Sequence, residues 1–159
     1  MGYSLYMYGI KPGPVRDAHE ANVAWAARHA QNKSTFEEQF RDPAKPDDLS
    51  YFGCNIYTMS VLRDLMHRMG VAQGGSPTGN DDLVSLRTLS SNDGERVTRD
   101  QIVRTLALID NLSAFERASA FGKTEDEFGA SMNSFQMLFN DWVAWLRLVV
   151  EHADGFGVY

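Results

Sequence analysis

One cysteine, a deficit of basic residues and no long apolar run set the first limits on this chain. Cys54 is the only cysteine among 159 residues, so an intrachain disulfide is excluded. Lysine and arginine number 15 against 21 aspartates and glutamates, which gives a formal charge of −6. The acidic total therefore disfavours nucleic acid as a partner, because binding normally needs a broad basic face, but it leaves a local basic patch open.

The sequence also lacks the signals that direct a chain to a membrane or out of the cell. No apolar stretch approaches the ~20 residues that cross a bilayer, so no membrane partner is predicted. The opening, MGYSLYMYGIKPGPVR, places its apolar residues before its basic ones, which is the reverse of a signal peptide. With a single cysteine and no export signal, we expect a soluble, cytoplasmic protein.

The composition that is present is typical of a globular domain. Hydrophobic residues make up 43% of the chain and charged residues 23%, so a packed core is expected. The length suits one ordinary domain. We predict a single domain over residues 1–159, with a flexible loop near residues 72–82, where the sequence is AQGGSPTGNDD.

Strand signals are short and scattered. YSLYMYGI (3–10) is rich in aromatic residues and ends at two prolines, which predicts a strand, and LSYFGCN (49–55) predicts a second. LVSLRTL (83–89) is interpreted as a third strand or an irregular segment, and SSNDGER (90–96) as a turn. The closing DGFGVY (154–159) is short and rich in glycine, and we expect it to add only an edge strand.

Helices are predicted from caps and from apolar spacing. The alanine-rich stretch around Trp25 predicts a helix that packs closely against a neighbour, and Thr98 with Gln101 forms a capping box before a long apolar helix. The predicted spans are 14–31, a short helix at 35–41, a helix from Asn55 or Thr58 to Met69 with Gly70 as its cap, one continuous helix through 102–121, and about 130–152. The fold class is therefore α+β, mostly helical, with four to five helices beside a small sheet of short strands; an all-α bundle is the alternative.

Cys54 stands just before a predicted helix, where a thiol can act as a nucleophile. It would need a base within hydrogen-bond reach. His67 lies on the same predicted helix, nine residues beyond Thr58 and roughly 14 Å along the axis. His19, His29 and His152 would approach only through tertiary folding. We interpret Cys54 as a small buried apolar residue.

Other patterns do not identify a catalytic or metal site. The four histidines form no HExxH pair, and GGSPTGND lacks the lysine and hydroxyl of a phosphate loop. Adjacent acidic residues lie in polar stretches and are interpreted as solvated surface. We predict no metal and no cofactor, and catalytic residues remain unknown.

Aromatic residues are concentrated in and beside the strand-like segments. Because side chains alternate across a sheet, some of these rings should lie on the face away from the core and form a surface for a protein partner or a second copy of the chain. Trp145 lies outside the main apolar stripe of the last helix and suggests the same role. The predicted binding residues are Tyr6, Tyr8, Tyr57, Trp145 and Tyr159.

The opening MGYSLYMYGI resembles the MGLDMYL opening of small uncharacterised proteins that are common in bacteriophages and their bacterial hosts. The resemblance is carried by Met1, Gly2, Leu5, Tyr6 and Met7, with the order of aliphatic and aromatic residues shifted. It implies a phage or bacterial source. Because that group has no assigned reaction, the resemblance implies no site residues.

Three functional hypotheses follow. The leading one is a small, non-enzymatic interaction module that binds a protein partner or itself. The alternative is an enzyme with an unrecognised pocket that uses Cys54 or a histidine. The third, a nucleic-acid-binding module, requires convergence of five arginines: Arg63, Arg68, Arg96, Arg99 and Arg104.

Overall fold

A computed structural model describes residues 2–31, 45–74, 81–129 and 131–159. The fold is α+β, as predicted, with five helices and a four-stranded antiparallel sheet in those residues. In chain order the elements are β1 (Gly2–Tyr8), α1 (Pro14–Gln31), β2 (Tyr51–Asn55), α2 (Ile56–Arg68), a 3-10 turn (Thr88–Ser90), β3 (Glu95–Thr98), α3 (Arg99–Asp110), α4 (Ala114–Phe128), α5 (Met132–His152) and β4 (Gly155–Val158). The helix predicted over 35–41 lies outside the described residues, as does most of the predicted loop at 72–82.

The sheet has the strand order β2-β1-β4-β3. The closing segment therefore does not form an edge strand, and that prediction is wrong. β4 pairs with β1 on one side and with β3 on the other. Its glycines are tolerated because aromatic side chains from neighbouring residues lie over them, while Phe156 and Val158 are fully buried in the core.

Residues 83–89 form an irregular segment, which is one of the two alternatives predicted for them. Ser85 forms an isolated bridge with Gln73, and the 3-10 turn follows. The third strand is β3, which begins inside the stretch predicted to be a turn. The chain bends at Asp93, and Gly94 adopts φ +77° immediately before Glu95.

Helix α1 has the predicted bounds but not the predicted close packing. Trp25 is buried, whereas Ala21, Ala24, Ala27 and the other alanines from 21 to 30 are exposed. Alanine stabilises a helix through its backbone propensity and needs no burial to do so. The alanine-rich pattern therefore predicted the helix correctly and its packing incorrectly.

The long helix predicted through 102–121 is two helices. α3 ends at Asp110, and Ser113 caps α4 through a capping box with Glu116. Both shorter helices pack on α5, which runs through the core. Trp142, Phe139 and Leu146 of α5 are fully buried, and one continuous core extends from Leu5 in β1 to Val158 in β4.

Candidate binding surface

Tyrosines cover the face of the sheet that is turned away from the core, here called the outer face. Along β1, Leu5 and Met7 are buried, whereas Tyr6 is exposed and Tyr8 half-buried on the opposite side. The same alternation places Tyr51 of β2 on the outer face, directly beside Tyr6 in the pairing register. Two strands thus present neighbouring rings.

Glycines on the outer face make room for these rings. A Cβ atom at any of three positions would overlap a tyrosine side chain: Tyr51 lies over Gly53, Tyr8 over Gly155 and Tyr159 over Gly157. The rings therefore lie across the backbone and do not stand upright from it. The result is a low aromatic layer over the sheet.

The tyrosines of this layer contact one another. The ring centroid of Tyr6 lies 5.1 Å from that of Tyr51 and 6.0 Å from that of Tyr159. At the other end of the layer, the guanidinium of Arg96 sits 4.6 Å from the centroid of Tyr8. Burial raises the pKa of the Tyr8 phenol, opposed by the nearby charge of Arg96 and reinforced by that of Asp154.

A groove of about 760 Å³ runs beside the aromatic layer. The sheet supplies Tyr6 and Tyr51, and α1 faces them across the groove. The remaining wall is the segment that precedes β2. The lining residues are Tyr6 and Tyr51 from the sheet, His19, Asn22, Val23 and Ala26 from α1, and 45–48 from that segment.

Hydrogen bonds hold α1 against this segment. The Asn22 side chain donates to the Pro46 carbonyl at 2.8 Å. His19 Nδ1 lies 2.9 Å from Ser50 Oγ and 3.3 Å from a carboxylate oxygen of Asp48, and Ser50 Oγ donates to Asp48 at 2.5 Å. The groove walls are therefore fixed to each other before any ligand arrives.

The serine, histidine and aspartate in this cluster do not form a hydrolytic triad. In a triad the imidazole contacts serine with one nitrogen and aspartate with the other. Here Nδ1 of His19 lies near both groups, the hydroxyl proton of Ser50 is given to Asp48, and Ser50 is buried. The cluster is a structural latch between α1 and the start of β2.

The structure brings together three of the five predicted binding residues and separates two. Tyr6, Tyr8 and Tyr159 share the outer face. Tyr57 lies at the start of α2, where its ring packs on Phe128 and its hydroxyl donates to the Phe128 carbonyl at 3.3 Å.

Trp145 is only 5% exposed, and its indole nitrogen donates to the Leu49 carbonyl at 3.2 Å. Its predicted surface role is therefore wrong. A position outside the main apolar stripe did not mean exposure, because the sheet packs on that side of α5 through Phe52 and Phe156.

Cys54 lies on β2, facing the core beside its partly buried neighbour Phe52. Burial raises the pKa of its thiol to about 11, which disfavours the thiolate that a nucleophile needs. This environment fits the interpretation of Cys54 as a small packing residue.

The five arginines of the nucleic-acid hypothesis bind separate local partners. Arg63 and Arg99 donate to the backbone carbonyls of Leu86 and Val150. Arg68 pairs with Asp64 and Glu127, Arg104 with Asp82, and Arg96 lies over Tyr8. No pair of these arginines shares one of these partners.

The groove includes residues that the sequence did not single out. Tyr51 was recognised only as one of several aromatics near strands, and Asn22, Val23 and Ala26 carried no signal of a site. The period-two pattern of β2 could have placed Tyr51 and Gly53 on one face of the strand. No local sequence pattern indicates that α1 lies opposite Tyr6 and Tyr51 across the groove.

Two classes of site receive no support from the described part of the chain. Its histidine, cysteine and acidic side chains do not gather into a group of three that could hold a metal ion. Across the same ranges, no helix has both the length and the apolarity to cross a membrane. Comparisons with protein-family models, curated proteins and solved structures found no match to this chain.

Proposed function

We propose that this protein is an interaction module and that its groove binds a segment of a protein partner. The observation that carries the proposal is the groove itself, in which exposed tyrosines face an α-helix across a preorganised cleft. Tyrosine supplies large contact area at a low cost in side-chain entropy and is enriched in protein interfaces. A cleft whose walls are already fixed also loses little conformational freedom on binding.

The lining favours a particular kind of segment. Tyr6, Tyr51 and Val23 offer apolar surface for an aliphatic or aromatic anchor residue. Asp47 is exposed at the rim, whereas Asp48 is bound within the latch. Lys45 lines the same groove, but the exposed Asp47 carboxylate and the net charge of −6 favour a basic residue beside the anchor. The proposed ligand is an extended segment with an apolar anchor and a neighbouring lysine or arginine.

The setting of this activity is also part of the proposal. The resemblance of the opening residues favours a phage or bacterial source, and the single cysteine favours a reducing compartment such as the cytoplasm. The enzymatic alternative has weaker support, because Cys54 has a raised pKa and Ser50 is buried within the latch.

Selection from a random peptide library on the immobilised protein tests the proposal. We expect peptides with the stated pattern to be enriched and to bind Tyr6→Ala and Val23→Lys at least about tenfold more weakly. Met137→Lys is the matched control, because Met137 is 61% exposed on α5 and lies outside the groove. Equal binding to all the variants, or no enrichment, would contradict a role for the groove.

A further inference from the structure

Strand β2 has one free edge. It pairs only with β1 in the sheet of the described residues, whereas the opposite edge strand, β3, is flanked by the 3-10 turn. Thr88 and Arg87 of that region bind the Glu95 side chain of β3. Among residues 2–31, 45–74, 81–129 and 131–159, no comparable contact covers β2, and Tyr51, Gly53 and Asn55 are all exposed.

The direction of each backbone group on β2 follows from the antiparallel pattern. The Met7 amide donates to the Ser50 carbonyl at 2.9 Å, so Ser50 points toward β1. Hydrogen-bonded pairs recur at every second residue, which makes Phe52 and Cys54 the next residues to point that way. Tyr51, Gly53 and Asn55 therefore direct their backbone groups to the free edge.

Four of these outward groups lack a partner within the described chain. The Tyr51 amide is used, because it donates to the Asp48 carbonyl at 3.2 Å. Asn55 is the N-cap of α2, so its carbonyl accepts the first bond of the helix. The groups that remain are the Tyr51 carbonyl, the amide and carbonyl of Gly53, and the Asn55 amide.

The edge also lacks the features that normally prevent strand pairing. Natural edge strands carry lysine, proline or bulges. The segment LSYFGCNIY (49–57) contains no charged residue and no proline, and the β1–β2 register is unbroken. Three large apolar side chains beside its ends are exposed: Leu49, Ile56 and Tyr57. An uncharged edge flanked by apolar surface favours another uncharged strand.

We propose that two copies of the chain pair through β2, antiparallel, about a two-fold axis at Gly53. In that register Gly53 meets Gly53 of the partner and exchanges both bonds, while each Tyr51 carbonyl accepts from the partner's Asn55 amide. All four free groups of each chain are then satisfied. This matching of donors and acceptors selects a second copy over an unrelated strand. The pairing joins two sheets into one of eight strands and does not rest on the proposed role of the groove.

A charge exchange at the axis tests the pairing. In a hydrogen-bonded pair the two Gly53 Cα atoms would lie about 5.5 Å apart, so like charges there oppose association. We expect wild type to show a monomer–dimer equilibrium in sedimentation, and Gly53→Lys or Gly53→Asp alone to weaken it on the order of tenfold. An equimolar mixture of the two variants should restore the dimer as a heterodimer.

Gly53→Ala is the matched control. Any side chain at this position displaces the Tyr51 phenol, and alanine does so without adding a charge. Gly53→Ala should therefore dimerise more strongly than either charged variant. Circular dichroism establishes that each variant is folded. A wild type that stays monomeric at all concentrations, or charged variants that gain nothing from mixing, would overturn the proposal.

Amide hydrogen exchange gives a second, residue-specific test on the wild type. The Gly53 and Asn55 amides should become protected as protein concentration rises, while the Tyr51 amide should not change because it is bonded in the monomer. Fast exchange of Gly53 and Asn55 at every concentration would contradict the pairing. Protection that appears only when a peptide is added would assign the edge to a different partner and overturn the dimer.

Discussion

The tyrosine layer depends on individual glycines of the sheet. Gly155 adopts φ +154°, a conformation that residues with a side chain rarely take, and a Cβ atom there would overlap the Val97 carbonyl oxygen as well as the Tyr8 hydroxyl. Gly157 has no such strain, but its missing side chain leaves room for Tyr159. Because Gly155 and Gly157 have no side chains, Tyr8 and Tyr159 can lie directly over the backbone of the interior strand β4.

Gly155→Ala should destabilise the protein by at least about 2 kcal/mol, because it adds both backbone strain and a steric overlap with a neighbouring strand. Gly122→Ala is the control: Gly122 lies within α4 with open space around the added methyl group. That change should stabilise by roughly 0.5–1 kcal/mol through helix propensity. Urea unfolding monitored by circular dichroism measures both, and equal effects would contradict the geometry at Gly155.

The Cys54 thiol should react slowly with alkylating reagents. Burial raises its pKa from 9.0 to about 11, so the thiolate fraction at pH 8 should fall about a hundredfold below that of a free cysteine. The alkylation rate should rise with pH up to about 11. Because the folded pKa is raised, the neutral thiol is favoured, and stability should fall as pH rises between 9.0 and about 11. Rapid alkylation at neutral pH would favour the enzymatic alternative.

At the scale of elements, the sequence predicted two helix caps correctly but predicted the position of a strand within the sheet poorly. The Thr98–Gln101 capping box and the Asn55 cap are both present. The equivalent Ser113–Glu116 box was missed because it lies inside an apolar run that reads as one helix. The interior position of β4 was also missed, because a glycine-rich strand is usually weak. The position of β4 in the sheet is explained by tertiary contacts of Phe156, which no local pattern indicates.

The Ser113–Glu116 capping box should contribute to the stability of α4. Ser113→Ala removes the acceptor for the Glu116 amide and should cost about 1 kcal/mol, measured by thermal unfolding. Ser119→Ala, within the same helix, should change stability little. Failure of Ser113→Ala to exceed this control would mean that the break between α3 and α4 does not depend on the cap.

The stability that the Ser113–Glu116 capping box contributes should depend on pH. Hydrogen bonds from Ser113 lower the pKa of Glu116 below its ordinary 4.5. Because the folded pKa is lowered, this stabilisation is present above pH 4.5 and is lost as pH falls through the folded pKa. Glu116→Gln should therefore be less stable than wild type at pH 7, and the difference should shrink at acidic pH.

At the scale of the whole molecule, the fold class followed from composition and periodicity, but the groove did not. Strand alternation places Tyr6 with Tyr8 on one face of β1 and Tyr51 with Gly53 on one face of β2. The register that brings Tyr6 beside Tyr51 comes from the structure. Their apposition to His19 and Val23 depends on the latch to Asp48 and Ser50, which joins residues about thirty positions apart. Contacts of that range leave no periodic pattern in a single sequence.

The central claim is that the groove beside the outer face binds a protein segment. Its most direct test is an NMR titration of the ¹⁵N-labelled protein with a peptide selected from the library. We predict that the largest amide shifts fall on the groove residues Tyr6, Val23, Ala26 and Tyr51. Shifts centred on Phe115, which is 81% exposed on α4, with the groove residues unmoved, would contradict the account.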